Sequence, residues 1–247
     1  MKSPRRLIGQ PEILHRDESL LVVNKPAGVF LTPQPEGQFG VPDRLIEHVD
    51  LPPDEPFLIT HRIHENASGA VVYARTPEAA QSLARQFEDG DAHVTYLALV
   101  VGYVTADDTI RLPVHYDKRA GRFVAGGRSG TPSVTSYRIV QRITGNTLLE
   151  CRPEREIFDQ VRAHLAAIGH PLTVDTTYGG GARVLLSEFK PRYRPSARRE
   201  ERPLIERLTL HCQRVELIHP ATGERTAFEA PLPKDLRAAL TQLERLQ

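Results

Sequence analysis

The chain has 247 residues, 40% hydrophobic and 26% charged, enough apolar content for one large folded domain or two small ones, which excludes a disordered polymer. No apolar run has the length of a bilayer span, and the basic start Met1-Lys2-Ser3-Pro4-Arg5-Arg6 lacks the apolar segment of a secretory signal. Cys151 and Cys212 have no C-x-x-C spacing, so the expectations are a cytoplasmic location, no membrane association, reduced thiols and no zinc site.

In chain order, short β-branched or apolar runs bounded by Gly, Pro and Asp predict strands over 20–24, 57–60, 70–74, 94–101, 134–140, 147–151 and 214–218. Thr76 as N-cap and Pro77 in the first turn open a helix whose expected buried stripe is Ala80, Leu83, Ala84 and Phe87. A second helix is expected from Phe158, with Phe158, Val161, Leu165 and Ile168 at helical spacing and Gly169 as the stop. Asp159 and Arg162, three residues apart, face one direction on it. A third helix follows Pro233 and turns Leu236, Leu240 and Leu243 inward. The pattern is that of an α+β protein with a large mixed, mainly antiparallel sheet and flanking helices, without repeats or linkers.

The formal charge is only +1, but it is unevenly spread. Residues 183–207 hold eight basic side chains against four acidic ones, a local +4 that includes Lys190, Arg192, Arg194, Arg198 and Arg199, with Tyr193 among them. A solvated loop explains this as well as a phosphate-binding patch does on charge alone; the interleaved phenol tilts it towards RNA.

Four segments in order resemble the RluA-like family of RNA pseudouridine synthases. Leu20-Leu21-Val22-Val23-Asn24-Lys25-Pro26-Ala27-Gly28 is similar to the strand and turn that open the family's catalytic domain. His61-Arg62-Ile63-His64-Glu65-Asn66-Ala67-Ser68-Gly69 resembles its His-Arg-Leu-Asp-x-x-Thr-Ser-Gly active-site loop. Thr95-Tyr96-Leu97-Ala98-Leu99-Val100 resembles the strand carrying its active-site tyrosine. Gln160-Val161-Arg162-Ala163-His164-Leu165-Ala166, then Gly169-His170-Pro171-Leu172 and Asp175-Thr176-Thr177-Tyr178-Gly179-Gly180, resemble its supporting helix and turn. The tail, Arg207-Leu208-Thr209-Leu210-His211-Cys212 to Ala230-Pro231-Leu232-Pro233, is similar to the closing strand and final helix, whereas nothing resembles the small S4 RNA-binding domain of many relatives.

The resemblance implies a single catalytic domain over 1–247 without an S4 domain, the pseudouridine synthase fold, and an RNA-binding cleft with 190–202 as one wall. It further implies an isomerase that needs neither metal nor cofactor and acts on ribosomal or transfer RNA. Its reaction breaks the bond from ribose C1′ to base N1, so positive charge develops on the sugar and an ionised carboxylate is wanted beside it. The family's aspartate falls at His64, and an imidazole supplies no negative charge in either protonation state. The family's Thr-Gly-Arg-Thr-His-Gln-Ile-Arg falls on Arg155-Glu156-Ile157-Phe158-Asp159-Gln160-Val161-Arg162. There Arg162 keeps the arginine that pairs with the aspartate, and Asp159 replaces a histidine. The expectation is that Asp159 pairs with Arg162, His64 or both.

By the same resemblance Arg62 displaces the target nucleotide and Tyr96 packs beside the flipped base. Ala67 and Val94 stand where relatives have threonine and lysine. The leading reading is an RNA-binding homologue that has lost isomerisation. The alternatives are an active synthase using Asp159 or Glu65, a protein-binding scaffold without RNA contact, and a metal site on His61 and His64 with Glu65 or Asp159. The last rests on a spacing too common to carry weight.

Overall fold

In a computed structural model of the chain, the residues described are 9–32, 40–49, 51–52, 54–190, 192–193 and 200–246. The elements in chain order are β1 (Glu12–Arg16), β2 (Leu20–Lys25), α1 (Val41–Val49), β3 (Leu58–Ile59), β4 (Ser68–Ala74), α2 (Pro77–Asp89) and β5 (His93–Val101). They continue with β6 (Asp108–Arg111), β7 (Val114–Asp117), β8 (Arg122–Ala125), β9 (Val134–Ile143), β10 (Asn146–Pro153) and α3 (Gln160–Ala167). After a short 3-10 turn at Leu186–Glu188 come β11 (Leu210–Ile218), β12 (Arg225–Glu229) and α4 (Lys234–Glu244). The chain divides into two compact units, Met1–Thr95 with Cys212–Pro231, and Tyr96–His211 with Leu232–Gln247.

In the first unit β1, β2 and β4 form an antiparallel ladder, β3 also pairs with β4, and β12 pairs with β11. Leu20, Leu21, Val22 and Val23 are fully buried, as are Val71 and Val72 opposite them, which is why these strands read as continuous apolar runs rather than alternating ones. Thr76 caps α2 by accepting the Ala79 N–H at 3.1 Å, and Gly90, at φ 82°, ends it. The expected stripe on α2 is turned: Ala79, Leu83 and Gln86 are buried, whereas Ala84 is exposed. The Gln86 amide causes the difference. It accepts the Ile218 N–H at 2.7 Å and donates to the Ile218 carbonyl at 2.8 Å, so a polar residue is drawn inward as a partner for β11 backbone.

In the second unit the strands run β5-β10-β9-β6, all antiparallel, with β7 and β8 as a separate hairpin. Leu97, Leu99, Ile143 and Leu148 pack with Leu236, Leu240 and Leu243 of α4, as the spacing after Pro233 predicts. Helix α3 starts later than expected. Asp159, at φ 60°, takes the left-handed conformation just before it, which breaks the helical run and leaves Phe158 37% exposed instead of in the buried stripe. The α+β fold with large, mainly antiparallel ladders is therefore as the sequence predicts. Helix α1, which buries Val41 and Leu45, is an addition to it. Among the described residues no helix is long and apolar enough to cross a membrane.

Candidate active site

The loop 61–69 belongs to the first unit and is fixed from beneath by Lys25. That side chain is fully buried, and its Nζ donates to the carbonyls of Glu65 at 2.6 Å, Val29 at 2.9 Å and Pro26 at 3.0 Å. A buried ammonium must be matched by acceptors, and here backbone oxygens supply them. The Glu65 carbonyl also takes the Gly28 N–H at 2.9 Å, so the 20–28 strand and turn hold the loop at two points. At the loop's end Gly69 has φ 121°, and a Cβ there would lie 2.0 Å from the Cys212 carbonyl oxygen.

Between these anchors His64 is half-buried. Its Nδ1 accepts the Asn66 N–H at 3.1 Å, and its carbonyl takes the Ala67 N–H at 3.0 Å, closing a tight turn. Nδ1 thus carries no proton in this geometry. Glu65 is also half-buried, with the Asn66 side-chain amide 3.4 Å from its carboxylate, and Arg62 is exposed. His61 is buried: Nε2 accepts the Val72 N–H at 3.0 Å and the ring stacks on Phe87 at 5.0 Å. Its Nε2 is committed to backbone, which removes the first ligand of the His61–His64 metal reading.

The second unit carries the other half of the expected set. Arg162 is buried, and Asp175 holds it with both oxygens, Nε to Oδ2 at 2.7 Å and Nη2 to Oδ1 at 2.8 Å, while Nη1 donates to Asp159 Oδ1 at 2.8 Å. Burial works to lower the Arg162 pKa, but the bond to Asp175 and the charges of Asp159 and Asp175 outweigh it and push it up. One cation thus faces two carboxylates. The guanidinium also lies 4.7 Å from the centroid of the Tyr178 ring. Burial first, and then Asp159, raises the pKa of the Tyr178 phenol, which donates to the Phe123 carbonyl at 2.7 Å. Tyr96 is buried in β5 and its hydroxyl donates to Glu156.

Helix α3 is held by a polar chain. Gln160 Nε2 donates to Thr135 Oγ1 at 3.0 Å, that hydroxyl lies 2.9 Å from His164 Nδ1, and His164 Nε2 lies 2.9 Å from the Leu112 carbonyl. This chain meets the polar groups of Gln160 and His164, as the two aspartates meet Arg162, so that all three are buried on one short helix.

Of the expected residues, the structure brings Asp159 to Arg162 and sets Arg62 and His64 on one loop. Lys190 and Arg192 are exposed, and Arg194, Arg198 and Arg199 lie outside the described residues. Part of the charge counted in 183–207 is neutralised, since Arg183 pairs with Glu200 at 3.2 Å and Arg207 with Asp235 at 2.9 Å. Three further residues were not singled out from sequence: Asp175, Tyr178 and Glu156. Asp175 and Tyr178 stand in the 175–180 turn motif, and Glu156 occupies a position where the resembled family has glycine.

Among the described residues one trio, His15, Asp17 and His219, brings potential metal-ligand atoms within 4.8 Å of one another. His15 Nε2 and His219 Nε2 lie 2.6 and 2.8 Å from the same Asp17 oxygen, and His219 Nδ1 accepts the Ala221 and Thr222 N–H groups at 3.3 Å. With Nδ1 an acceptor, Nε2 of His219 holds the proton, which is the wiring of a hydrogen-bonded clasp rather than of a ligand.

A family model described as RNA pseudouridylate synthase matches residues 19–167. Ribosomal large subunit pseudouridine synthase D of Xanthomonas campestris is 32% identical over 234 residues, covering 94% of this chain and 69% of that protein. The protein of the same name from Pseudomonas aeruginosa is also 32% identical, covering 94% and 71%. Among solved structures, human RNA Pseudouridylate Synthase Domain Containing 1 superposes with a TM-score of 0.71 at 23% identity, over 96% of this chain and 90% of that one, a likeness of fold. The strand and turn at 20–28, the loop at 61–69 and the fold on which they sit thus agree with the comparisons: the chain belongs to the RNA pseudouridylate synthase family, in its RluA-like branch.

Proposed function

We propose that this chain is an RNA-binding member of the family that has lost uridine isomerisation. Its partner is RNA, with ribosomal RNA favoured because the similar proteins from Xanthomonas campestris and Pseudomonas aeruginosa are named as ribosomal large subunit enzymes. The observation that carries the reading is at His64. The loop position where the family places its aspartate presents an imidazole whose Nδ1 is engaged by the Asn66 N–H, and no carboxylate stands at that position to meet a sugar turning cationic. The second support is Arg162, whose charge is already met by Asp175 and Asp159.

Tritium release from C5-labelled uridine in ribosomal RNA, measured with the purified protein in excess, tests this. Release at the level of a protein-free control, together with retention of the RNA in a gel-shift assay, is the expected outcome. Release approaching one equivalent per target RNA sinks it.

One observation favours a second reading, an active synthase that draws its carboxylate from α3. Asp159 gives Oδ1 to Arg162, and its Oδ2 makes no hydrogen bond among the described residues, so one anionic oxygen is uncommitted on a residue only 10% exposed. On this reading Asp159→Asn abolishes the release that the wild-type protein gives.

A further inference from the structure

The hairpin β7–β8 and the turn after it, residues 114–128, hold four cations, Lys118, Arg119, Arg122 and Arg128, against one acid, Asp117. Asp117 is spent on its own turn, where Oδ1 accepts the N–H groups of Arg119 at 2.8 Å and Ala120 at 3.2 Å. Among the described residues Lys118, Arg119 and Arg128 are exposed and make no side-chain ion pair or hydrogen bond. This contrasts with the longer basic stretch, where Arg183 and Arg207 are both neutralised.

The same hairpin presents aromatic surface. Tyr116 is 54% exposed and is held by an edge-to-face contact with Phe123 at 5.4 Å; Phe123 in turn meets Phe158, itself 37% exposed, at 6.1 Å. The array is pinned within its unit by Tyr178. That residue's hydroxyl bonds the Phe123 carbonyl at 2.7 Å, and its ring lies 5.0 Å from the guanidinium of Arg122 and 4.7 Å from that of Arg162. One tyrosine therefore joins the hairpin to the Arg162 cluster.

Uncommitted cations beside an exposed, fixed ring match the two chemical features of an unpaired nucleotide, a phosphate charge and a base face. Duplex RNA offers the charge but keeps its bases stacked. We propose that the β7–β8 hairpin is a binding surface for single-stranded RNA, with a base stacked on Tyr116 and phosphates neutralised by Lys118, Arg119 and Arg128. The inference rests on the reading of the chain as an RNA binder and adds where, and which form of RNA, it holds.

The test uses the full chain and two fluorescent probes, an oligouridylate of about 20 nucleotides and an RNA duplex of about the same length, long enough for one site. Tyr116→Ala weakens oligouridylate binding about five-fold or more, the loss expected of one base stack, whereas Tyr116→Phe keeps it and neither changes duplex binding. The pair Lys118→Ala and Arg119→Ala lowers the salt slope on oligouridylate by about 1.4, two contacts at about 0.7 each. Wild-type affinity in Tyr116→Ala, or loss confined to Lys190→Ala with Arg192→Ala, overturns the hairpin but leaves the RNA reading standing. Polyglutamate that binds as tightly as oligouridylate makes the surface a site for acidic protein segments and overturns the proposal. A wild-type chain that binds neither probe at low salt removes the RNA reading and the surface together.

Discussion

Asp175 grips Arg162 through both carboxylate oxygens, at 2.7 and 2.8 Å, and both side chains are almost wholly buried, 1% and 4% exposed. The pairing lies within one unit of the chain and joins α3 to the turn at 175–181, where the Asp175 carbonyl also takes the Tyr178 and Gly180 N–H groups. An arginine held in this way is satisfied locally. It does not depend on an acid from the loop that carries His64.

Removing one partner of such a pair strands the other in a dry site. Asp175→Asn is expected to cost about 3–5 kcal/mol, the range for breaking a buried ion pair. Asp159→Asn removes a single charged hydrogen bond and is expected to cost about 1.5–3 kcal/mol. Urea unfolding midpoints compare the two directly. Equal losses would show that the bidentate grip of Asp175 stabilises the cluster no more than the single bond to Asp159 does.

His64→Asp restores to the loop the charge that the chemistry asks for. With Lys25 still anchoring the Glu65 carbonyl, the variant keeps the loop in place and its tritium release from C5-labelled uridine is expected to rise above that of the wild-type protein. Single-turnover conditions suit the measurement, because a weakly restored site gives few cycles. A variant that releases no more than the wild-type protein would place the difference at Ala67, Val94 or Asp159, the other positions that depart from the resembled family's pattern.

The strands and the family were legible because they rest on local runs and ordered motifs, such as the continuous apolar 20–23 and the 61–69 loop. What escaped depends on contacts between residues far apart in sequence. Nothing in the string links Asp175 to Arg162, thirteen residues earlier, in preference to His64; only the packing of α3 against the 175–181 turn decides it. The stripe on α2 differs from the hydropathy pattern because Gln86 reads as a surface residue until the Ile218 backbone, 132 residues away, is beside it. Phe158 fits the helical spacing, and the left-handed Asp159 that excludes it leaves no mark on hydropathy. Charge counting favours 183–207, but counting cannot see which arginines are paired, and for the same reason it does not mark the uncommitted cations of 114–128.

Gly69 sets the end of the 61–69 loop by conformation and by space. With φ at 121° and the Cys212 carbonyl oxygen only 2.0 Å from where a methyl carbon would stand, Gly69→Ala combines backbone strain of about 1–3 kcal/mol with a backbone clash. Gly121, at φ 65° in the β7–β8 turn with nothing within 4 Å, provides the contrast, and Gly121→Ala is expected to cost only about 1–2 kcal/mol. Thermal unfolding of the two variants checks the order. A Gly69→Ala protein as stable as Gly121→Ala would mean that β4 and β11 separate easily at that point.

Acid should weaken the fold in two steps, each traceable to one group. His164 is buried between Thr135 and Leu112, and burial lowers its pKa below 6.5, partly opposed by the Leu112 carbonyl. Below about 6.5 the unfolded chain takes up a proton that the folded chain refuses, so stability declines as pH falls through that value. Asp17 acts lower. Burial by itself would raise its pKa, but hydrogen bonds from His15, from the Ser19 and Leu20 N–H groups and from His219 outweigh it and hold it well below 3.8. Its contribution is complete above about 3.9 and fades as pH drops towards the folded value. Urea midpoints at neutral, mildly acidic and strongly acidic pH separate the two: His164→Gln flattens the first decline and leaves the second, and Asp17→Asn does the reverse. A first decline that survives His164→Gln would assign it to other histidines of the chain, leaving the chain from Gln160 through Thr135 to Leu112 insensitive to protonation.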